Sequence, residues 1–198
     1  MSNKVVSELE RDMFDLLSQI DSNIAIDFLV DWPTRPLKLR KVENTTFPVL
    51  RFLDEISSSG GTKVTAILQQ LQHNCESIFW RQSYKKEDFG LAFLENYAHT
   101  ELIGTIGPIQ SDKIACGFLL LGPNTEYPGH SHESEELYIP FSKALWSKDR
   151  GPWEEKLCGS QIYHKEWIRH SMKTTSEPLL ALYIWKGGDL LQKPVINK

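Results

Sequence analysis

Cysteine is scarce in this chain. Only Cys75, Cys116 and Cys158 occur among 198 residues, an odd number at spacings that form no metal knuckle. That excludes a disulfide framework and predicts a reduced, cytoplasmic protein. Long apolar runs are missing as well. The longest, 114–121, falls far short of the roughly 20 residues that span a bilayer. The N-terminus carries Glu8, Glu10, Arg11 and Asp12 and lacks the apolar centre of a secretory signal, so no export segment is expected. Blocks of Lys and Arg are absent too, and 22 basic against 26 acidic residues leave a net charge of −4. Neither nucleic acid nor an anionic membrane is therefore an expected partner. There is no internal repeat and no low-complexity tract.

What is present reads as an ordinary globule, 40% apolar and 24% charged. At roughly 150 residues per domain the length suits one domain with an appendage. Its two halves differ in texture. Val5, Val6, Leu9, Met13, Leu16, Leu17 and Ile20 trace one helical stripe. Residues 31–44, with Pro33 and Pro36, read as an extended connector. A second helix is predicted with Thr46 as its cap, Pro48 in its first turn and Gly60-Gly61 at its end. A third spans 62–72 with Val64, Ile67, Leu68 and Leu71 inward, and two short ones are expected over 76–84 and 88–97. From about His99 onward, short apolar runs are broken by Gly, Pro, Asn and Asp. Strands are predicted at 101–106, 113–121, 126–131, 136–141, 143–147, 154–158, 161–164, 167–173 and 179–185, the pattern of a β-sandwich or barrel. The expectation is an α+β chain: helices over 1–100 packed on a barrel over 101–198, as one compact unit.

The densest group of ligand-type side chains is Tyr127-Pro128-Gly129-His130-Ser131-His132-Glu133-Ser134-Glu135-Glu136-Leu137-Tyr138. His130 and His132 are two apart, so on a strand they share a face, as do Glu136 and Tyr138. A bend through 133–135 would bring the second pair back toward the first. Imidazoles and a carboxylate without thiolate suit one divalent ion such as Zn²⁺, Fe²⁺ or Mn²⁺. His170, on a late strand, is the candidate for a further imidazole. His164 reads as a surface or strand-end residue, and His73 and His99 as structural groups near element ends. Cys116 and Cys158 read as small buried apolar groups in strands.

His130-x-His132-x3-Glu136, with Gly122 upstream and Gly159 and His170 downstream, resembles the paired metal motifs of the cupin superfamily. Lys143 stands where those motifs carry a glycine. The longer pattern is similar to the cupin-type dimethylsulfoniopropionate (DMSP) lyases. It comprises Tyr127-x2-His130-x-His132-x3-Glu136-x-Tyr138, His170-Ser171-Met172-x-Thr174 and Leu180-Ala181-Leu182-Tyr183-x-Trp185. The resemblance covers 122–188 and implies a jelly-roll (double-stranded β-helix) barrel that cleaves DMSP to dimethyl sulfide and acrylate by β-elimination. It implies His132, Glu136 and His170 as metal ligands, Tyr138 as a displaceable fourth, and His130 as a further ligand or an orienting group. Tyr138 is the expected base, with Tyr127 the alternative. Aromatic faces attract onium cations, so Trp185 and Tyr183, which share a strand face, are the expected substrate wall together with Tyr127. Two rival readings use the same residues: another cupin metalloenzyme, either an iron dioxygenase or an isomerase, and a non-catalytic binder of small carboxylates. The oligomeric state stays open, a homodimer being one option.

Overall fold

The computed structural model describes residues 2–57 and 59–196. The first stripe forms α1 (Asn3–Ser18), capped by Ser2, whose hydroxyl accepts the Val5 N–H at 3.3 Å. Its buried face is Val6, Leu9, Met13, Leu16 and Leu17. Glu10 is also buried on α1. It accepts the Trp32 indole N–H at 2.8 Å and pairs with Arg35, which fastens the extended connector to the helix. A helix absent from the sequence reading, α2 (Asn23–Val30), buries only Ala25 and Phe28. The third helix is found as α3 (Gly61–Asn74), with Val64, Ile67, Leu68 and Leu71 inward as expected.

Three expected helices are corrected. Residues 46–60 hold a 3₁₀ helix, Pro48–Glu55, preceded by Phe47 rather than capped by Thr46. Residues 76–84 hold a single 3₁₀ turn and the short strand β1 (Trp80–Arg81). Ile78 and Trp80 are buried and alternate with partly exposed Phe79 and Arg81, a period of two that suits a strand at a sheet edge. The last helix, α4 (Lys86–Leu94), is kinked at Gly90, whose φ of 79° a helix does not tolerate, and Tyr97 already belongs to the next strand.

The remaining strands are β2 (Tyr97–Gly104), β3 (Ile109–Gln110), β4 (Ile114–Leu121), β5 (Glu126–Ser131), β6 (Glu135–Pro140) and β7 (Ala144–Lys148). After them come β8 (Glu154–Lys156), β9 (Ile162–His164), β10 (His170–Lys173), β11 (Leu179–Lys186) and β12 (Val195–Ile196). Two sheets form. One has the order β1-β2-β4-β11-β6-β9 with β3 beside β2, the other β12-β5-β10-β7-β8. Every pairing is antiparallel except β2–β3. The two sheets build the expected strand-rich barrel, with the helices packed on the larger sheet. Cys158 lies in the turn after β8 and is only partly buried, whereas Cys116 is buried in β4 as expected.

The larger sheet is covered on both faces. Leu180, Leu182 and Ile184 of β11 pack with Leu9, Met13 and Leu71 of the helices, while Leu179, Ala181 and Tyr183 face the barrel interior with Leu121, Tyr138 and Met172. That two-sided burial explains why β4 and β11 are apolar at nearly every position. The two families of side chains separate by strand parity. One face therefore builds a core with the helices, and the other is free to line a cavity.

Candidate metal centre

The turn after β5 crosses from the smaller sheet to the larger one. The expected bend is found, but it joins two sheets rather than closing a hairpin. It is pinned by Ser134, whose hydroxyl donates to the Gly187 carbonyl at 2.8 Å, and by the Trp167 N–H, which donates to the His132 carbonyl at 2.8 Å. His130 and His132 therefore come from one sheet, Glu136 and Tyr138 from the other, and both pairs point inward. His170 is the cross-strand partner of His130 in the β5–β10 ladder. The ring centroids of His130 and His170 are 4.2 Å apart, and those of His132 and His170 are 5.2 Å apart.

Each imidazole is oriented by backbone. The Nδ1 atoms of His130, His132 and His170 lie 2.9, 2.8 and 2.9 Å from the carbonyls of Pro128, Ser134 and Ile168. A carbonyl only accepts, so each Nδ1 carries the hydrogen and each Nε2 turns a lone pair inward. One ligand atom from each of the three rings lies within 4.8 Å of the others. Glu136, fully buried, places Oε2 3.0 Å from the Nε2 atoms of both His132 and His170. Those contacts set acceptors against an acceptor, and His170 Nε2 makes no hydrogen bond of acceptable angle. A cation at the convergence point resolves both contacts, so the donor set fits a divalent ion.

The electrostatics agree with that fit. Burial pushes the Glu136 carboxyl up, but positive charge at His132 and His170 outweighs it and holds the group well below the usual carboxylate range; with both lone pairs turned inward, a cation between the rings would supply that charge. Burial, reinforced by the neighbouring His170, holds His130 well below the ordinary histidine value and so keeps it neutral. Trp185 donates its indole N–H to Glu136 Oε1 at 2.6 Å, and its ring lies 4.3 Å from that of His132. Trp185, expected on the substrate wall, thus also positions the Glu136 carboxylate.

Both expected phenols border the centre. Tyr138 is buried beside Glu136. Burial and then the Glu136 charge push its phenol well above the ordinary 10. Tyr127 stacks on His130 at 4.3 Å and shares a 2.7 Å hydrogen bond with the hydroxyl of Tyr84. A cavity of about 200 Å³ opens from Glu136, Tyr138 and Tyr127 past Tyr183 and Trp185. Residues 190–194 line it from the C-terminal side. Trp146 packs on Tyr138 at 4.9 Å outside that cavity, and Trp153 instead carries Lys173 over its ring.

Of the two positions expected for His164, the strand end is found and the surface is not. His164 is 2% exposed and stacks on His170 at 4.1 Å with 8° between the planes. It pairs across from Glu136, and burial lowers its pKa to about 3. Its parity with Ile162 marked it as inward. His99 stands near the start of β2 as expected, but it also lines the cavity, and burial lowers its pKa to about 3. His73, exposed in the last turn of α3, stands where it was expected. The sequence reading also missed Tyr84, Arg81 and Glu101, since nothing local ties them to the motif.

A profile of dimethylsulfoniopropionate lyases matches residues 26–181. The chain belongs to the dimethylsulfoniopropionate lyase family. The DMSP lyase DddQ of Ruegeria pomeroyi is 31% identical over 119 residues, which cover 60% of this chain and 59% of that protein. A putative DMSP lyase, DddL of Cereibacter sphaeroides, is 35% identical over 114 residues, covering 57% of this chain and 47% of the relative. The chain thus matches about half the length of each of these DMSP lyases. The crystal structure of DddQ from R. pomeroyi DSS-3 superposes with a TM-score of 0.85 at 23% identity, covering 99% of this chain and 98% of that one. A chain from the crystal structures of the DMSP lyases RdDddP and RnDddQII gives 0.87 at 22%, covering 98% of each. The fold is therefore common to these lyases over the helical half as well as the barrel. Among the described residues no helix is long and apolar enough to cross a membrane.

Proposed function

We propose that this chain cleaves DMSP to dimethyl sulfide and acrylate by base-initiated β-elimination. The observation that carries the reading is the convergence of His132, His170 and Glu136 beside Tyr138 at the end of an aromatic cavity. The physical demand of the reaction is a sink for charge at the substrate carboxylate while the adjacent carbon loses its proton. A divalent ion held by His130, His132, His170 and Glu136 would supply Lewis acidity toward that carboxylate.

The side chains do the rest. Tyr138 is the base. Its phenol, raised by burial and by Glu136, ionises when positive charge comes within reach of its oxygen. Tyr138 Oη then takes the α-proton. The C–H electron pair becomes the double bond of acrylate as the carbon–sulfur bond breaks, and dimethyl sulfide leaves as a neutral molecule with the pair from that bond. Tyr183 and Trp185 flank the sulfonium, and burial keeps water from the carbanion. Tyr127 is tied to Tyr84 and acts as a wall that holds the His130 ring.

Metal-loaded protein incubated with DMSP should release dimethyl sulfide into the headspace, and a chelated control should not. Tyr138→Phe should lose at least about a hundredfold in rate while keeping its metal. A variant that loses metal and rate together assigns Tyr138 to ligation alone. A loaded wild type without product ends the reading.

A further inference from the structure

The same cavity carries a second buried charge. Glu101, 5% exposed, stands on β2 in one cross-sheet row with Gly117, Tyr183 and Tyr138. Three strand spacings separate β2 from β6, roughly 14 Å of backbone, and side chains from both ends reach into the cavity. Gly117, between them, has no side chain to block the floor, and a Cβ there would lie 1.7 Å from the Thr100 carbonyl oxygen.

The chain is shaped around this carboxylate. A bulge between Glu101 and Ile103 shifts the β2–β4 register at that point. The N–H groups of Ile106 and Gly107 both donate to Oε1, at 2.8 and 2.9 Å. Gly104, at φ 150°, leaves room that a Cβ would take, 2.2 Å from Oε1. Among the described residues no cation lies within ion-pair distance of Glu101. Arg40 is spent on the carbonyls of Thr105 and Gly104. Burial raises the Glu101 carboxyl above its ordinary value, while the Ile106 and Gly107 N–H groups and, through space, Arg81 and Arg40 pull it back; Arg81 also lines the cavity but makes no salt bridge with Glu101. His99, beside it in the wall, is neutral and adds no competing charge.

We propose that Glu101 is the counter-charge for the cationic head of the substrate. It makes the pocket selective for acids that carry an onium group over neutral acids of the same shape. The inference rests on the DMSP reading, with the carboxylate at the histidine centre and the sulfonium between Tyr183 and Glu101. A desolvated carboxylate held in place by two N–H groups offers a cation more than the aromatic faces do alone.

The test uses metal-loaded protein in the Tyr138→Phe background, which stops turnover, and calorimetric titration with DMSP and with its neutral thioether, methylthiopropionate. Adding Glu101→Gln, which retains an acceptor for Ile106 and Gly107, should weaken DMSP by about tenfold or more and leave the thioether within about twofold. Arg81→Gln, which removes a competing cation from the cavity wall, should raise the DMSP-to-thioether preference and covers the case in which the glutamine variant misfolds. Equal weakening of both ligands, or an Arg81→Gln preference that falls, overturns the proposal. A wild type that releases no dimethyl sulfide but shows the preference shift refutes the lyase reading and upholds the cation site. A wild type that releases it without the shift does the reverse.

Discussion

Replacing Trp185 with Phe separates the two roles its position suggests. The indole N–H donates to Glu136 Oε1 at 2.6 Å, while Oε2 faces the two imidazoles. Phe keeps an aromatic face toward the cavity and removes only that donor. Glu136 is buried, so loss of the donor leaves a buried carboxylate oxygen without its protein partner. A hydrogen bond to a charged group contributes about 1.5–3 kcal/mol. Outer hydrogen bonds to a metal ligand change affinity by about 10–100-fold. Trp185→Phe should therefore weaken metal binding by about that factor, read by titration against a competing chelator. With metal in excess, the KM for DMSP should change little. An unchanged metal affinity with a raised KM would refute the reasoning and return Trp185 to the substrate wall alone.

Other outcomes follow from the same geometry. His132→Ala and His170→Ala should each strip most of the bound metal, measured by elemental analysis, although 38 positions separate them in the chain. A loss in only one variant would break the pairing of the β5 and β10 ends that brings the two imidazoles together. His99 is neutral in the fold, with a pKa near 3 against 6.5 unfolded, so the unfolded chain takes up the proton first. Stability should fall as pH drops from 6.5 toward 3, and His99→Gln should flatten that slope in denaturant titrations at stepped pH. Leu71→Ala, at the junction of helices and sheet, should cost about 2–5 kcal/mol in urea unfolding. A cost below 1 kcal/mol would mean that the helical half contributes little to the core.

Local pattern carried a good deal. Period 3.6 located α1 and α3, period 2 located most of the barrel strands, and H-x-H-x3-E with its trailing tyrosine pointed to side chains that converge in the fold. The failures share a cause. Residues 76–84 are apolar enough for either element, and only the free edge of β2 makes a strand of Trp80 and Arg81. α2 shows weak patterning because it buries just two side chains. His164 reads as polar and peripheral until its ring is seen stacked on His170.

The sequence by itself determined the helical and stranded halves, the donor chemistry of the motif's side chains and the face each one takes, because those depend on parity and side-chain chemistry along short stretches. Only the tertiary structure decided that the motif straddles two sheets, that His170 meets His130, that Trp185 holds Glu136, and that Glu101 shares the cavity. Such juxtapositions are set by strand order and register, which arise when distant segments bury apolar faces together, and no local stretch of residues encodes them.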